Sequence, residues 1–227
     1  TAPATVGTNR NVAYNFPIPP TNYQGEIQVV VNPNNSNQIV AAANTWDAQG
    51  GTCGDFDLQA VFYSSDGGVT WGNSCPPDDA AYGLNCSAIP GVGTFGSDPA
   101  LSWNKNNEVF LNYMLLCNLG GNNNRFAMVV ARSVNGGATW SAQGIVKNSW
   151  TTGTVEDKNF YAIDNHSSSP FFGRHYTCWD RANNEKFAYS TNNGATWTEV
   201  DLPTAPVGGV DLGCEIAVQK NGNVHVV

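Results

Sequence analysis

The side chains of this sequence best placed to do chemistry are carboxylates at the heads of strand-like runs. Four such runs, 26–32, 98–104, 158–164 and 215–221, share β-branched or aromatic content and a turn signal behind them. Glu26, Asp98 and Glu215 head three of the runs, and Lys158 heads the other with Glu156 and Asp157 just before it. Carboxylates brought together must be neutralised by a metal, by a basic side chain or by a proton. A hard cation such as calcium suits oxygen ligands, with Glu26, Asp98, Asp157 and Glu215 as the candidate set. Lys158 is the competing internal counter-ion, and no other cofactor is required. Three roles stay open for these acids: solvated strand ends, a cation or polar-ligand site, and general acid–base work. Other chemistry is missing. The histidines His166, His175 and His225 show no metal spacing, and no Gly-x-Ser-x-Gly, His-Glu-x-x-His or P-loop occurs.

The elements that must position these residues are strands. The chain has 227 residues, with only 12% charged, 24 glycines and 12 prolines. It lacks the Ala/Glu/Lys/Leu/Arg stock of helical bundles, and it is long enough for a sizeable core. Eighteen acidic residues against 10 basic ones give a net charge of -8, and no basic cluster offers a face to nucleic acid. No apolar run approaches the roughly 18 residues of a membrane span. The six cysteines, Cys53, Cys75, Cys86, Cys117, Cys178 and Cys214, form no Cys-x-x-Cys pair. Their even number and wide spacing predict disulfides and a secreted or cell-surface setting. Asn-x-Ser/Thr acceptors stand at Asn34, Asn85 and Asn165.

Internal repetition is the strongest signal. Ser64-Ser-Asp-Gly-Gly-Val-Thr-Trp71, Ser133-Val-Asn-Gly-Gly-Ala-Thr-Trp140 and Ser190-Thr-Asn-Asn-Gly-Ala-Thr-Trp197 all read Ser-x-Asp/Asn-x-Gly-x-Thr-Trp. Each follows a strand-like run, so the pattern predicts a hairpin turn: Asp or Asn folds back onto the backbone and Gly supplies positive φ. These segments resemble the Asp-box, or BNR, repeat of the sialidase-like β-propellers. The resemblance extends from about Gly25 to the last residue. It implies an all-β propeller of four-stranded antiparallel blades, with the boxes between third and fourth strands on the face away from the active site. Residues 1–24 read as an N-terminal extended segment and 25–227 as a partial propeller with three complete blades and half of a fourth. The family's closed propellers imply that the rest comes from a longer chain, six-bladed in the family's manner, or from a second chain.

The resemblance also implies a site. Inner strands converge on a central channel, which would gather Glu26, Asp98, Asp157 and Glu215 at its mouth. The family's catalytic acid lies in the loop before the first box. That makes Asp55 the candidate acid, with Asp47 and Asp57 beside it in the same loop. Trp46 and Trp179, with Tyr113 and Trp150, are aromatics for stacking a sugar ring or for core packing between blades. One departure is informative: Glu26 takes the place of the family's first substrate-binding arginine, and Arg125, Arg132, Arg174 and Arg181 miss the strand heads. Two functions follow. One is a glycan-active, glycoside hydrolase-like propeller that is not a true sialidase. The other is a non-catalytic extracellular binding or scaffold module for a protein, metal or polysaccharide. On the blade scheme the expected disulfides are Cys178–Cys214, between adjacent blades, and Cys75–Cys86, within one connection.

Overall fold

The computed structural model describes residues 24–45, 53, 59–86, 89, 93–120, 123–181, 184–202 and 213–227. Trp46, Asp47, Asp55, Asp57 and the segment 1–23 lie outside the described residues. The first sheet holds β1 (Gln24–Asn32), β2 (Asn35–Thr45), β3 (Gln59–Ser64) and β4 (Gly72–Ser74) in chain order. A 3-10 turn at Ala80–Tyr82 follows. The second sheet holds β5 (Thr94–Trp103), β6 (Val109–Cys117), β7 (Arg125–Ser133) and β8 (Ser141–Ser149). The third holds β9 (Glu156–Ile163), β10 (His175–Arg181), β11 (Glu185–Ser190) and β12 (Thr198–Val200), and β13 (Ile216–Val218) pairs with β14 (Val224–Val226). All pairings are antiparallel. The inner strands β1, β5, β9 and β13 lie against one another in that order.

The core sits in the seams between blades. Val40, Ala42 and Val61 of the first blade pack on Leu101, Leu111 and Val129 of the second. Ala100, Phe110 and Val130 meet Tyr161 and Ile163 of the third. Ile216 joins Tyr176 and Cys178. A middle blade is therefore apolar on both faces, which is why β6 reads as an almost unbroken buried run, Val-Phe-Leu-Asn-Tyr-Met-Leu-Leu-Cys.

The three repeated turns connect β3 to β4, β7 to β8 and β11 to β12, and all use one local network. In the first, Asp66 accepts from the Val69 and Thr70 amides at 3.0 and 2.9 Å and from the Thr70 hydroxyl at 2.5 Å, while Ser64 Oγ accepts from Gly68 N–H at 2.9 Å. Asn135 and Asn192 accept from the Thr139 and Thr196 amides, each at 2.9 Å. Gly68, Gly137 and Gly194 take φ of 86°, 91° and 80°, a region L side chains avoid. The second and third turns also seal a seam: Ser74 Oγ donates to Gly137 O at 2.5 Å, and Trp197 packs with Phe110 and Tyr161.

Three disulfides join Cys53 to Cys75, Cys86 to Cys117 and Cys178 to Cys214. The inter-blade bridge is as expected, whereas Cys75–Cys86 is not formed. Buried Asp79 accepts from Cys86 N–H at 2.6 Å and from Thr94 Oγ1 at 2.9 Å. That holds Cys86 beside the end of β6, where Cys117 lies, and leaves Cys75 to Cys53.

Candidate functional site

The inner hairpins set a common register. Closing bonds run from Asn104 N–H to Glu108 O, from Asp164 N–H to Arg174 O and from Gln219 N–H to Asn223 O. Six residues before these positions, and before Asn32 at the end of β1, stand Asp98, Lys158, Gly213 and Glu26. All four have left-handed backbone, with φ of 55°, 51°, 86° and 51°. The pairing of β1, β5 and β9 shifts at these points, so each head is a bulge that re-aims its side chain. A non-glycine residue held there costs about 1–3 kcal/mol and persists only where its surroundings over-determine it. The register corrects one expectation. The fourth head is Gly213, and Glu215 lies two residues further on, exposed, with its main chain paired to Val227.

Glu26, Asp98, Asp157 and Lys158 do come together. Lys158 Nζ forms an ion pair with Glu26. Asn44 of β2 bridges the group: its Nδ2 donates to Glu26 Oε2 and, at 3.0 Å, to Asp98 Oδ1, and its Oδ1 accepts from Asp98 N–H at 2.8 Å. Ser97 Oγ donates to Asp98 Oδ1 at 2.8 Å, and Lys158 N–H donates to Asp98 Oδ2 at 2.9 Å and Asp157 Oδ1 at 3.0 Å. Burial opposes ionisation of Asp98, but hydrogen bonds from Asp157, Asn44, Lys158 N–H and Ser97 prevail and hold its carboxyl below the usual range. Burial first, then the bond to Asp98 and its charge, raise Asp157 to about 7. Asp180, opposite Asp157 on β10, adds to that rise. The two carboxyls thus share one proton near neutrality. Burial lowers the pKa of Lys158.

An open cleft of roughly 280 Å³ lies over this group, lined by Glu26, Gln28, Asp98, Lys158, Asn159 and Phe160 among others, with Gly213 and Cys214 on its far side. Asn159 Oδ1 has no hydrogen-bond partner. Among the described residues no arginine lines the cleft. Arg132 pairs with Glu108 and Arg181 with Glu156 and Glu199, while Arg174 stacks on Phe171 and Tyr189. No three of the candidate carboxylates lie within 4.8 Å of one another among the described residues. The group that does, Cys178, Glu185 and Cys214, has both sulfurs in a disulfide and offers no thiolate.

Trp179 is not on the cleft wall. It is fully buried, donates its Nε1–H to Glu156 and packs against Met114 and Met128. Tyr113 and Trp150 are likewise buried in the seam of the first two blades. Asn44, Gln28 and Asn159 were not singled out by the sequence. They sit within strands rich in Asn and Gln, and no spacing distinguishes them.

No protein-family model matches the sequence, and no curated protein matches it. Solved structures do share its architecture. The intramolecular trans-sialidase of Ruminococcus gnavus, in complex with oseltamivir carboxylate, superposes with a TM-score of 0.62 at 15% identity, covering 90% of this chain and 65% of that one. The NanB sialidase of Streptococcus pneumoniae gives 0.57 at 11% identity over 90% of this chain and 47% of its own. Zg3597, a family 117 glycoside hydrolase from Zobellia galactanivorans, gives 0.51 at 10% identity over 80% and 56%. The fold is that of the sialidase propellers. The chain spans 65% and 47% of the lengths of the first two. At such identities the likeness concerns the fold alone.

Proposed function

We propose that this chain belongs to a secreted, glycan-directed Asp-box propeller whose ligand enters the cleft over Glu26, Asp98, Asp157 and Lys158, and that the ligand is a neutral sugar and not a sialic acid. The observation that carries this reading is the charge of the cleft wall. Its one lysine is paired with Glu26, and Asp98, hydrogen-bonded to Asp157, lines the same space. Among the described residues a sugar carboxylate would meet acids and no unpaired cation, whereas hydroxyls can donate to the partly exposed Glu26 carboxylate. The three disulfides fit an oxidising, extracellular location.

In the catalytic form of this reading Asp55 supplies the acid, assisted by Asp47 or Asp57. The second reading, a binding module without turnover, is favoured by the glutamate at the family's first arginine position. Isothermal titration with neutral oligosaccharides and with sialyllactose tests the first claim. Saturable heat from a neutral sugar, lost in Asp98→Asn, is expected; tight sialyllactose binding would overturn it. Reducing-end release that disappears in Asp55→Asn separates enzyme from binder. Calcium at the carboxylates is the remaining proposal. It requires a melting temperature that rises with calcium and falls with chelator, whereas neutralisation by Lys158 requires no response to either and a damaging Lys158→Met.

A further inference from the structure

Most polar atoms lining the cleft are committed inside the protein. Gln28 Oε1 accepts from Leu101 N–H. Asn159 Nδ2 donates to Asn112 O and Oδ1 at 3.1 and 2.9 Å, and its own Oδ1 is shut off from solvent. Asp98 is 6% exposed, and its two carboxylate oxygens already accept from Asn44, Ser97 and Lys158 N–H. A ligand hydroxyl could use these atoms only by displacing an internal bond.

Glu26 and Lys158 are different. Their side chains are 35% and 36% exposed. Glu26 accepts from Asn44 and from Lys158, and a carboxylate offers about four acceptor sites in all. The Lys158 ammonium keeps further N–H donors beyond the one it gives to Glu26. Carboxylate and ammonium thus present acceptors and donors side by side. A vicinal diol matches that pattern, because each hydroxyl can donate to the carboxylate while accepting from the ammonium.

The rest of the described lining is apolar. Phe160 stands two residues after Lys158 on β9 and leans on Tyr176, Cys178 and Ile216 behind it. Ile27 and Pro99 follow the heads of β1 and β5, and Cys214 has its sulfur in the bridge to Cys178. Two residues along a strand span about 7 Å, so the aromatic wall begins close beside the charged pair. The roughly 280 Å³ of space falls just below the roughly 300–1,000 Å³ of sites for drug-sized ligands, which suits a single sugar unit.

Resting on the neutral-sugar reading of this cleft, we propose that the ligand is a terminal 6-deoxyhexose. A vicinal diol is clamped by the Glu26–Lys158 pair, and the methyl group and C–H face lie against Phe160, Pro99 and Cys214. The methyl gains by leaving water, whereas a hydroxymethyl in its place meets no free partner among the described residues.

Isothermal titration of the disulfide-intact chain with matched methyl glycosides tests the proposal. The pairs are L-fucoside against L-galactoside and L-rhamnoside against L-mannoside, each differing only in the 6-hydroxyl. In at least one pair the deoxy sugar should bind about ten- to a hundredfold tighter. Phe160→Leu should keep that preference, and Phe160→Gln, which offers the hydroxymethyl a partner, should shrink it with circular dichroism unchanged. Glu26→Gln should weaken both members of the pair alike, because the diol is common to them. Equal affinities within both pairs overturn the proposal and leave the neutral-sugar reading standing. So does a preference that a folded Phe160→Gln leaves intact, or binding confined to other neutral sugars. No heat from any neutral sugar overturns the proposal and the reading together.

Discussion

At the residue scale, half-buried Asp157 and buried His175 give the stability opposite pH slopes. Asp157 is raised from 3.8 to about 7, so the folded state holds a proton that the unfolded chain has released between those values. Stability from this group is present below about 4 and is lost as pH rises through about 7. Asp157→Asn keeps the shape and can still donate to Asp98. It should raise the melting temperature at pH 8 and leave it nearly unchanged at pH 4. His175 works the other way. It is fully buried, its Nδ1 accepts from Tyr161 O–H at 2.5 Å and its Nε2–H donates to Asn193 Oδ1 at 3.1 Å. Burial lowers its pKa to about 4. The unfolded chain therefore binds the extra proton first, and stability falls as pH drops from about 6.5 to about 4. In the Asp157→Asn background this second slope should stand alone in a melting-temperature series. At the surface, the bond from the Thr70 hydroxyl, the Thr70 amide and then Ser64 hold Asp66 down to about 2. The second and third turns show that asparagine builds the same loop. Asp66→Asn should thus keep the fold and lose the acid sensitivity between about 4 and 2, read by thermal melts at low pH.

At the scale of elements, the second and third repeated turns lean on the outer strand of the preceding blade. A Cβ on Gly144 of β8 would lie 2.4 Å from Gly194 O and 2.6 Å from Ala195 O. Backbone on both sides cannot yield as a side chain does. Gly144→Ala should cost about 1–3 kcal/mol by urea unfolding, the range of overpacked cores. Gly25→Ala meets nothing within 4 Å and should stay within about 0.5 kcal/mol of the parent. The bulged heads of β1, β5 and β9 are the other shared device. Each turns a head residue toward its neighbour's, which is how Glu26, Asp98 and Lys158 meet although they lie in separate blades.

For the whole molecule, the bridge from Cys178 to Cys214 closes a separation of 36 residues and joins β10 to the approach to β13. The β13–β14 pair has two strands of three residues each, packed on Phe160, Ala162, Tyr176 and Tyr189. Replacing both cysteines by serine should destabilise the chain by about 2–4 kcal/mol. Limited proteolysis should then cut first within 213–227, with the earlier blades left intact. Cys214 and Gly213 line the cleft, so the same variant should weaken sugar binding if the proposed site is right.

The sequence by itself determined the three turns, the strands around them and the blade order. Their chemistry is local: the bonds run over two to four residues, from Ser64 to Gly68 or from Asp66 to Thr70, and the residue types needed are written next to one another. Tertiary structure decided what depends on groups far apart in the chain. A run of acids suggested Glu215 as the fourth head, yet the closing bond of the β13–β14 hairpin, and not residue type, sets the register and puts Gly213 there. Cys75 and Cys86 are close in sequence, but the buried Asp79 turn sends them to different partners. Trp179 has the right type for a sugar platform, and only the packing of the third blade on the second shows it sealed inside. The Lys158–Glu26 and Asp98–Asp157 contacts likewise exist only because three bulged strand heads meet, and no spacing along one strand encodes a meeting between strands.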